Sequence, residues 1–237
     1  MPDALAIIPA RGGSKRLPRK NILDFHGKPI LAYTIEAAFR SGLFKKVIVS
    51  TEDAEIAEIA AKYHAEVAVR KPDLATDAAT VAQVCENVLL EEQGQGRVYD
   101  ILCCLYATAP LRCAEDIAAT VALLEKGACR FAIAATHYSH YPHQALIRNS
   151  DGYLVPRWPE WCDLRGSEVG ELLAGNGSTY AVFVEDFLRE KDFYGPGMRA
   201  HIMPFVRSID IDTAEDFELA WCLAKCAAMR DAGHIPR

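Results

Sequence analysis

Three observations predict an α/β fold of three layers, a mostly parallel sheet covered by helices on both faces. Apolar runs of four to seven residues alternate with helical stretches through the first 136 residues. Runs without polar alternation read as strands buried on both faces. A loop rich in glycine and cations directly follows the first run, where open α/β sheets bind ligands. The rhythm then breaks over residues 137–175 and returns afterwards.

The elements follow in order. Ala4–Pro9 reads as a buried strand. Pro29–Ser41 is helical, with Gly42 as its stop. Lys46–Thr51 is a strand, and Asp53–Tyr63 a helix with Thr51 or Asp53 near its cap. Glu66–Val69 is a short strand. A turn-rich loop, Lys71–Ala79, precedes helix Thr80–Glu92. Asp100–Tyr106 is a strand, Ala114–Lys126 a helix and Phe131–Thr136 a strand. Residues 137–175 hold three histidines, two tryptophans, three tyrosines and three prolines, with few helical repeats. This stretch reads as an excursion from the sheet, a β-rich arm whose aromatic content suits burial against a partner. Regular structure returns at Ser178–Val184, with a helix from near Glu185 and a strand near His201–Phe205. The last helix runs from Thr213 to Asp231, capped by Thr213 with Asp216 three residues on.

Composition bounds the answer. The chain has 237 residues, 51% hydrophobic and 24% charged, which suits one domain with an excursion. A net charge of −6 argues against a general nucleic-acid binder. The apolar stretch Ala4–Ala10 is too short for a membrane span, and no signal-peptide pattern precedes it, so a cytoplasmic protein is expected. The eight cysteines form no CxxC pair and read as buried, reduced thiols. Cys222 and Cys226 lie four apart on a helix without further metal ligands nearby.

The loop after the first strand carries the chemistry. It reads Ile7-Ile8-Pro9-Ala10-Arg11-Gly12-Gly13-Ser14-Lys15-Arg16-Leu17-Pro18-Arg19-Lys20-Asn21, with five cations between Arg11 and Lys20. Gly12 and Gly13 are expected to take positive φ and bring backbone N–H groups close to an anion. The cations match several phosphate oxygens at once. Neither the GxxxxGK[ST] nor the GxGxxG pattern is present, which argues against P-loop and dinucleotide sites. Asp210 and Asp212 flank Ile211 with period two, so on a strand both carboxylates share a face. The pair reads as a magnesium site beside a polyphosphate, or as a strand end whose acids cap the next helix. His137, His140 and His143 are three apart, but no acid or cysteine completes a ligand set, and they read as scattered polar residues of the arm.

The loop resembles the signature of the acylneuraminate cytidylyltransferases, the CMP-nonulosonic acid synthetases. The resemblance continues through Gly27-Lys28-Pro29, Val49-Ser50-Thr51-Glu52-Asp53, Arg70-Lys71-Pro72, Ala75-Thr76-Asp77, Tyr106-Ala107-Thr108-Ala109-Pro110-Leu111-Arg112, Gly175-Asn176-Gly177 and Ser208-Ile209-Asp210-Ile211-Asp212-Thr213. It spans about residues 5 to 225 and is weakest across the excursion. It implies a nucleotide-binding fold that uses CTP, Mg2+ and a nonulosonic acid, and a homodimer joined through the 137–175 arm. Tyr138, Tyr141, Trp158 and Trp161 are the expected contact residues, and the partner arm is expected to complete the sugar pocket.

The resemblance also assigns roles. Arg11, Ser14, Lys15 and Lys20 fall on the triphosphate, with Ala10, Gly12, Gly13 and Asn21 beside them, while Arg16 and Arg19 rank lower. Arg70, Asp77 and Thr80 fall on cytosine and ribose, with a surface cation as the other reading of Arg70. Asp210 and Asp212 hold the metal, and Arg11, Lys20 and Asp210 act on the transition state. Tyr106, Thr108, Gln144, Arg165, Asn176 and Tyr180 are the expected sugar contacts. Tyr106 follows the pseudaminate branch, with core packing as the other reading. Asn176 and Tyr180 follow the sialate branch. Gln144 and Ala174 stand where sialate enzymes tend to carry Lys and Arg, so the sugar among pseudaminate, legionaminate and N-acetylneuraminate stays open. Two alternatives remain: a CMP-Kdo synthetase, and a catalytically inactive nucleotide-binding module.

Overall fold

Residues Ala4–Pro9 form β1, buried along its length up to the final proline. Ala6 and Ile8 point into one apolar core, and Leu5 and Ile7 into another on the opposite face. That alternation fixes β1 at the centre of a sheet covered on both sides. Each such aliphatic side chain contributes about 1.5–3 kcal/mol when fully buried. The computed structural model describes residues 2–233.

A small hairpin, β2 (Asp24–Phe25) and β3 (Lys28–Pro29), precedes α1 (Ile30–Ser41). Then come β4 (Phe44–Thr51), α2 (Ala54–Lys62), β5 (Glu66–Val69), α3 (Val81–Gly94), β6 (Ile101–Leu105), α4 (Ala114–Val121) and β7 (Phe131–His137). The excursion holds the hairpin β8 (Leu146–Arg148) and β9 (Leu154–Pro156), two short 3-10 turns and the one-turn α5 (Gly166–Val169). The chain returns through β10 (Leu173–Phe183), α6 (Val184–Glu190), β11 (Met198–Ile202) and α7 (Ala214–Asp231).

The main sheet has seven strands in the order β11-β7-β10-β6-β1-β4-β5. All neighbours are parallel except β10, which runs antiparallel to both β6 and β7. Helices α1, α2 and α4 cover one face, and α3 with α6 the other. Helix α7 packs Ala220 and Trp221 with Phe25, Ile30, Ile209 and Ile211 in a third cluster. No helix among the described residues is long and apolar enough to cross a membrane.

Several boundaries differ from the sequence reading, each for a local reason. Helix α4 stops at Val121, because Leu123 and Leu124 bond three residues back and Glu125 bridges to Cys129. Strand β11 lies at Met198–Ile202, earlier than expected, since Pro204 starts a 3-10 turn over Phe205–Arg207. Residues 208–212 form no ladder strand and are joined to the 106–112 loop by one backbone bond, Ile211 N–H to Thr108 O at 2.9 Å. Their period-two pattern still places Ile209 and Ile211 in the core. The Thr213–Asp216 capping box and the Asp53 cap form as read. Cys222 is exposed, contrary to the expectation of uniformly buried thiols.

One buried carboxylate ties the far edge of the sheet together. Glu92 on α3 accepts from Arg97 twice at 2.6 Å, from Lys46 of β4 at 3.0 and 3.1 Å, and from the Tyr99 hydroxyl at 2.8 Å. The Arg97 hydrogen bonds, opposed by burial and aided by Lys46, pull its carboxyl from 4.5 to about 2. A depressed carboxyl stabilises the fold above its unfolded pKa, and that contribution fades as pH falls through the folded value. Glu92→Gln should therefore cost about 1–3 kcal/mol at pH 7. The gap to the parent protein should close as pH falls from 4.5 toward about 2, read by urea unfolding across that range.

Candidate active site

The carboxyl ends of β1, β5 and β6 open onto one cleft of about 350 Å³. The first loop supplies Arg11, Ser14, Arg16, Lys20 and Asn21; the segment after β5 supplies Arg70, Leu74, Thr76, Asp77 and Ala79. Tyr106, Ala107 and Thr108 follow β6, and Asp210 with Asp212 close the far side.

The first loop is shaped differently from the sequence expectation. Neither Gly12 nor Gly13 takes a positive φ. Gly12 is needed for space, because a Cβ there would run into the Asp53 carboxylate. Its N–H donates to Glu52 Oε1 at 2.7 Å, so an internal carboxylate already holds this backbone donor. The left-handed residue is Arg19, φ 57°, whose guanidinium pairs with Asp53 and Glu55. Asn21 is buried and its amide donates to Arg11 O at 2.9 Å, which pins the loop to its own start.

Every cation of this loop meets an acid from another element. Arg11 and Lys15 both reach Asp77, at 2.6 and 2.5 Å. Lys20 and Arg16 reach the two oxygens of Asp212, at 2.6 and 2.8 Å. Lys15, then Arg11, holds the Asp77 carboxyl below its usual range. Burial works against ionisation of Asp212, but Lys20 and Arg16 keep its carboxyl low. Asp210 goes the other way. Burial pushes its carboxyl up, and the charge of Asp212 adds to that, against a hydrogen bond from the Thr108 hydroxyl.

Asp210 and Asp212 thus share the cleft although their segment is no ladder strand. Asp210 is a half-buried carboxylate with one hydroxyl donor and a like charge nearby, an environment that calls for a cation. No group of three or more His, Cys, Asp or Glu side chains among the described residues is arranged to hold a metal ion. A hard cation bound by one or two carboxylates, with phosphate oxygens and water completing its shell, fits this donor set.

The other expected residues divide. Arg70 is buried, and its guanidinium donates to Ser50 O at 2.7 Å, so it is no surface cation; burial lowers its pKa. Tyr106 forms a wall of the cleft with Tyr180 behind it, ring centroids 5.4 Å apart, and burial raises both phenols. Thr108 serves Asp210 as a hydrogen-bond donor. Ala10 is buried beneath the loop, its N–H on Ser50 O at 3.0 Å. Thr80 caps α3 instead of lining the cleft. Asn176 is also outside the lining: its amide donates to Ser208 Oγ, and its carbonyl accepts from Ser178 N–H and hydroxyl. Gln144 and Arg165 lie in the arm, away from the residues that line the cleft, and Arg165 caps α5.

Sequence reasoning missed the apolar wall of Pro9, Leu74, Ala79, Val81 and Val84. Val81 and Val84 are three apart at the start of α3, a signal that was present but unremarkable. Arg16, ranked with Arg19 below the other cations of the loop, lines the cleft and pairs with Asp212. Arg112 closes the 106–112 motif. It is fully enclosed, its Nη1 donating to Ser178 O at 2.5 Å and to Tyr106 O at 3.5 Å. Burial lowers its pKa to about 10.

Gly177 has a reason of its own. Its φ is +68°, and a Cβ would lie 2.6 Å from Asp210 Oδ2. Gly177→Ala should cost about 1–3 kcal/mol of stability, from the left-handed conformation together with the clash. It should also displace the Asp210 carboxylate, checked by chemical unfolding and by the variant's crystal structure.

Comparisons with known proteins agree with this geometry. A family described as cytidylyltransferase matches residues 5–152. A pseudaminic acid cytidylyltransferase of Campylobacter jejuni is 36% identical over 222 residues, 93% of this chain and 96% of that one. A CMP-N,N'-diacetyllegionaminic acid synthase of Legionella pneumophila is 34% identical over 218 residues, 91% of this chain and 93% of that one. The solved structure of a CMP:2-keto-3-deoxy-manno-octonic acid synthetase complexed with CTP superposes with a TM-score of 0.67 at 18% identity, covering 95% of this chain and 99% of that one, a likeness of fold. The chain belongs to the cytidylyltransferase family, within its acylneuraminate cytidylyltransferase group, and is a nucleotidyltransferase.

Proposed function

We propose that the chain transfers CMP from CTP to the C2 hydroxyl of a nonulosonic acid, giving a CMP-sugar and pyrophosphate. The observation that carries this reading is the cleft itself. It gathers Asp210 and Asp212 with Arg11, Arg16, Lys20, Arg70 and Tyr106. The pseudaminate and legionaminate names of the two relatives supply the acceptor class.

In this reading Arg11, Ser14, Lys15 and Lys20 bind the triphosphate, and Arg70 stands toward the nucleoside. Asp210 and Asp212 would hold Mg2+, whose charge, when bound, offsets that of the phosphates and acidifies the attacking hydroxyl. The sugar oxygen attacks the α-phosphorus, its proton passes to solvent, and the bond to the β-phosphate oxygen breaks to release pyrophosphate. Lys20 is half-buried and held by Asp212 and the Ile211 carbonyl, so it is placed to meet charge that grows on the phosphates. Tyr106 faces the acceptor as a neutral phenol. Reaction without cleavage of the sugar C–O bond is the expected chemistry.

The arm belongs to the same proposal. Tyr138, Tyr141, Leu146, Tyr153, Leu154, Trp158 and Trp161 are exposed on it. So many exposed apolar side chains suit a second copy of the chain. Gln144 and Arg165 would then serve the partner's acceptor site. We assign the protein to the cytoplasm, where CTP is available.

The test is pyrophosphate release from CTP and Mg2+ with pseudaminate, legionaminate and N-acetylneuraminate, compared as kcat/KM. No release with any of the three would overturn the reading. Lys20→Ala should lower kcat by about 10²–10³-fold with a smaller change in KM for CTP. An unchanged kcat would remove its assigned role. The mass in solution at micromolar concentration should be that of a dimer, measured by light scattering, and a monomer would refute the arm's role.

A further inference from the structure

Asp77 is doubly engaged. Its Oδ1 meets Arg11 at 2.6 Å and its Oδ2 meets Lys15 at 2.5 Å. These are two of the cations that the proposed function gives to the triphosphate. Asp77 sits between the 3-10 turn Pro72–Ala75 and the Thr80 cap of α3. It is half-exposed, so water and anions reach it.

We infer that Asp77 is an internal stand-in for phosphate, which holds Arg11 and Lys15 when the cleft is empty, yields them to the incoming triphosphate and reclaims them from pyrophosphate. The inference rests on the proposed function for the identity of the anion. A tethered carboxylate offers one negative charge at high effective concentration. A polyphosphate offers several charges and more acceptor oxygens to the same two cations, so it displaces the carboxylate when present. The same competition works in reverse once transfer has split the triphosphate. Pyrophosphate then has to leave a loop of cations, and a neighbouring carboxylate that recaptures two of them lowers its hold. Asp77 is thereby a positioning residue for Arg11 and Lys15, and it sets how tightly pyrophosphate is kept.

The other role available to Asp77 is contact with the ribose hydroxyls, and the two roles predict different binding data. Asp77→Asn keeps the size of the side chain and removes its charge. Titration calorimetry with inorganic pyrophosphate alone, in parent and variant, isolates the loop from any nucleoside contact. Two exposed ion pairs correspond to about two- to tenfold tighter pyrophosphate binding in the variant. The gain should shrink as salt is raised. Product inhibition by pyrophosphate should strengthen by the same factor. In the parent protein, backbone amides of residues 74–79 should exchange faster with pyrophosphate bound than without it. Equal or weaker pyrophosphate binding by Asp77→Asn overturns the inference. Weaker CTP binding with unchanged pyrophosphate binding overturns it in favour of a nucleoside contact. Turnover of CTP with the nonulosonic acids, measured on the same preparations, separates the two readings. Tighter pyrophosphate binding without any turnover keeps the exchange and refutes the proposed reaction, and turnover with unchanged pyrophosphate affinity does the reverse. A thermal melt of the variant confirms that it is folded.

Discussion

The cleft depends on carboxylates that neutralise one cationic loop. Five cations lie between Arg11 and Lys20. Two unit charges of like sign at 4 Å repel by about 4 kcal/mol at an effective dielectric of 20. A loop of this kind keeps one shape without its ligand only if anions are built in around it. Asp77 comes from the segment after β5, Asp212 from the segment before α7, and Asp53 from the cap of α2. Asp53 holds Arg19 and also caps α2, so a helix start and the loop's left-handed residue are fixed by one side chain. In the proposed reading, the acids that pair with this loop are also the groups a polyphosphate must compete with.

The position of the Asp210 and Asp212 pair is a consequence of topology. Strand β10 runs antiparallel between β6 and β7, so its early residues reach the end of the sheet where β1 and β6 finish. That brings Gly177 against Asp210 and Ser178 against Arg112. The 208–212 segment has no ladder of its own, yet it is held at its C-terminal end. Ile211 bonds Thr108, and Asp216 in the first turn of α7 accepts from the N–H groups of Asp212 and Thr213 at 3.0 and 2.8 Å. The capping box of the last helix therefore also fixes a cleft residue. A capped helix start is stiff in its first turn, and stiffness is what a carboxylate needs if it is to stay near another carboxylate.

Much of this was legible in the sequence, for identifiable reasons. The buried strands, Gly42, the Asp53 cap and the Thr213–Asp216 box are written in local patterns. Asp210 and Asp212 were readable as one face because Ile209 and Ile211 alternate with them, even though no strand forms. Other features depend on contacts distant in sequence. Gly12 and Gly13 suggested positive φ, but the constraint on Gly12 comes from Asp53, forty-one positions away. The burial of Arg112 was not legible, because nothing local says that Ser178 O will lie beside it. Thr80 and Asn176 carried an assigned ligand role, while their hydrogen bonds are spent on a helix cap and a turn.

The acceptor half of the site is a different physical problem. Tyr106 and Tyr180 are buried phenols whose protons are held more tightly than usual, so near neutral pH they offer shape and neutral hydrogen bonds but no charge. A nonulosonic acid brings a carboxylate, which wants a forked cation. Within one chain's cleft the guanidinium groups are already placed: Arg11 on Asp77, Arg16 on Asp212 and Arg70 on the Ser50 carbonyl. In the proposed reading Arg11 goes to the triphosphate and Arg70 to the nucleoside. A cation for the sugar has to arrive from elsewhere, and Arg165 on the arm is a candidate that no periodic pattern could reveal. The end of the sheet that carries the cleft is read from local alternation, whereas in the proposed reading the acceptor half depends on an arm whose aromatic side chains are exposed within one chain.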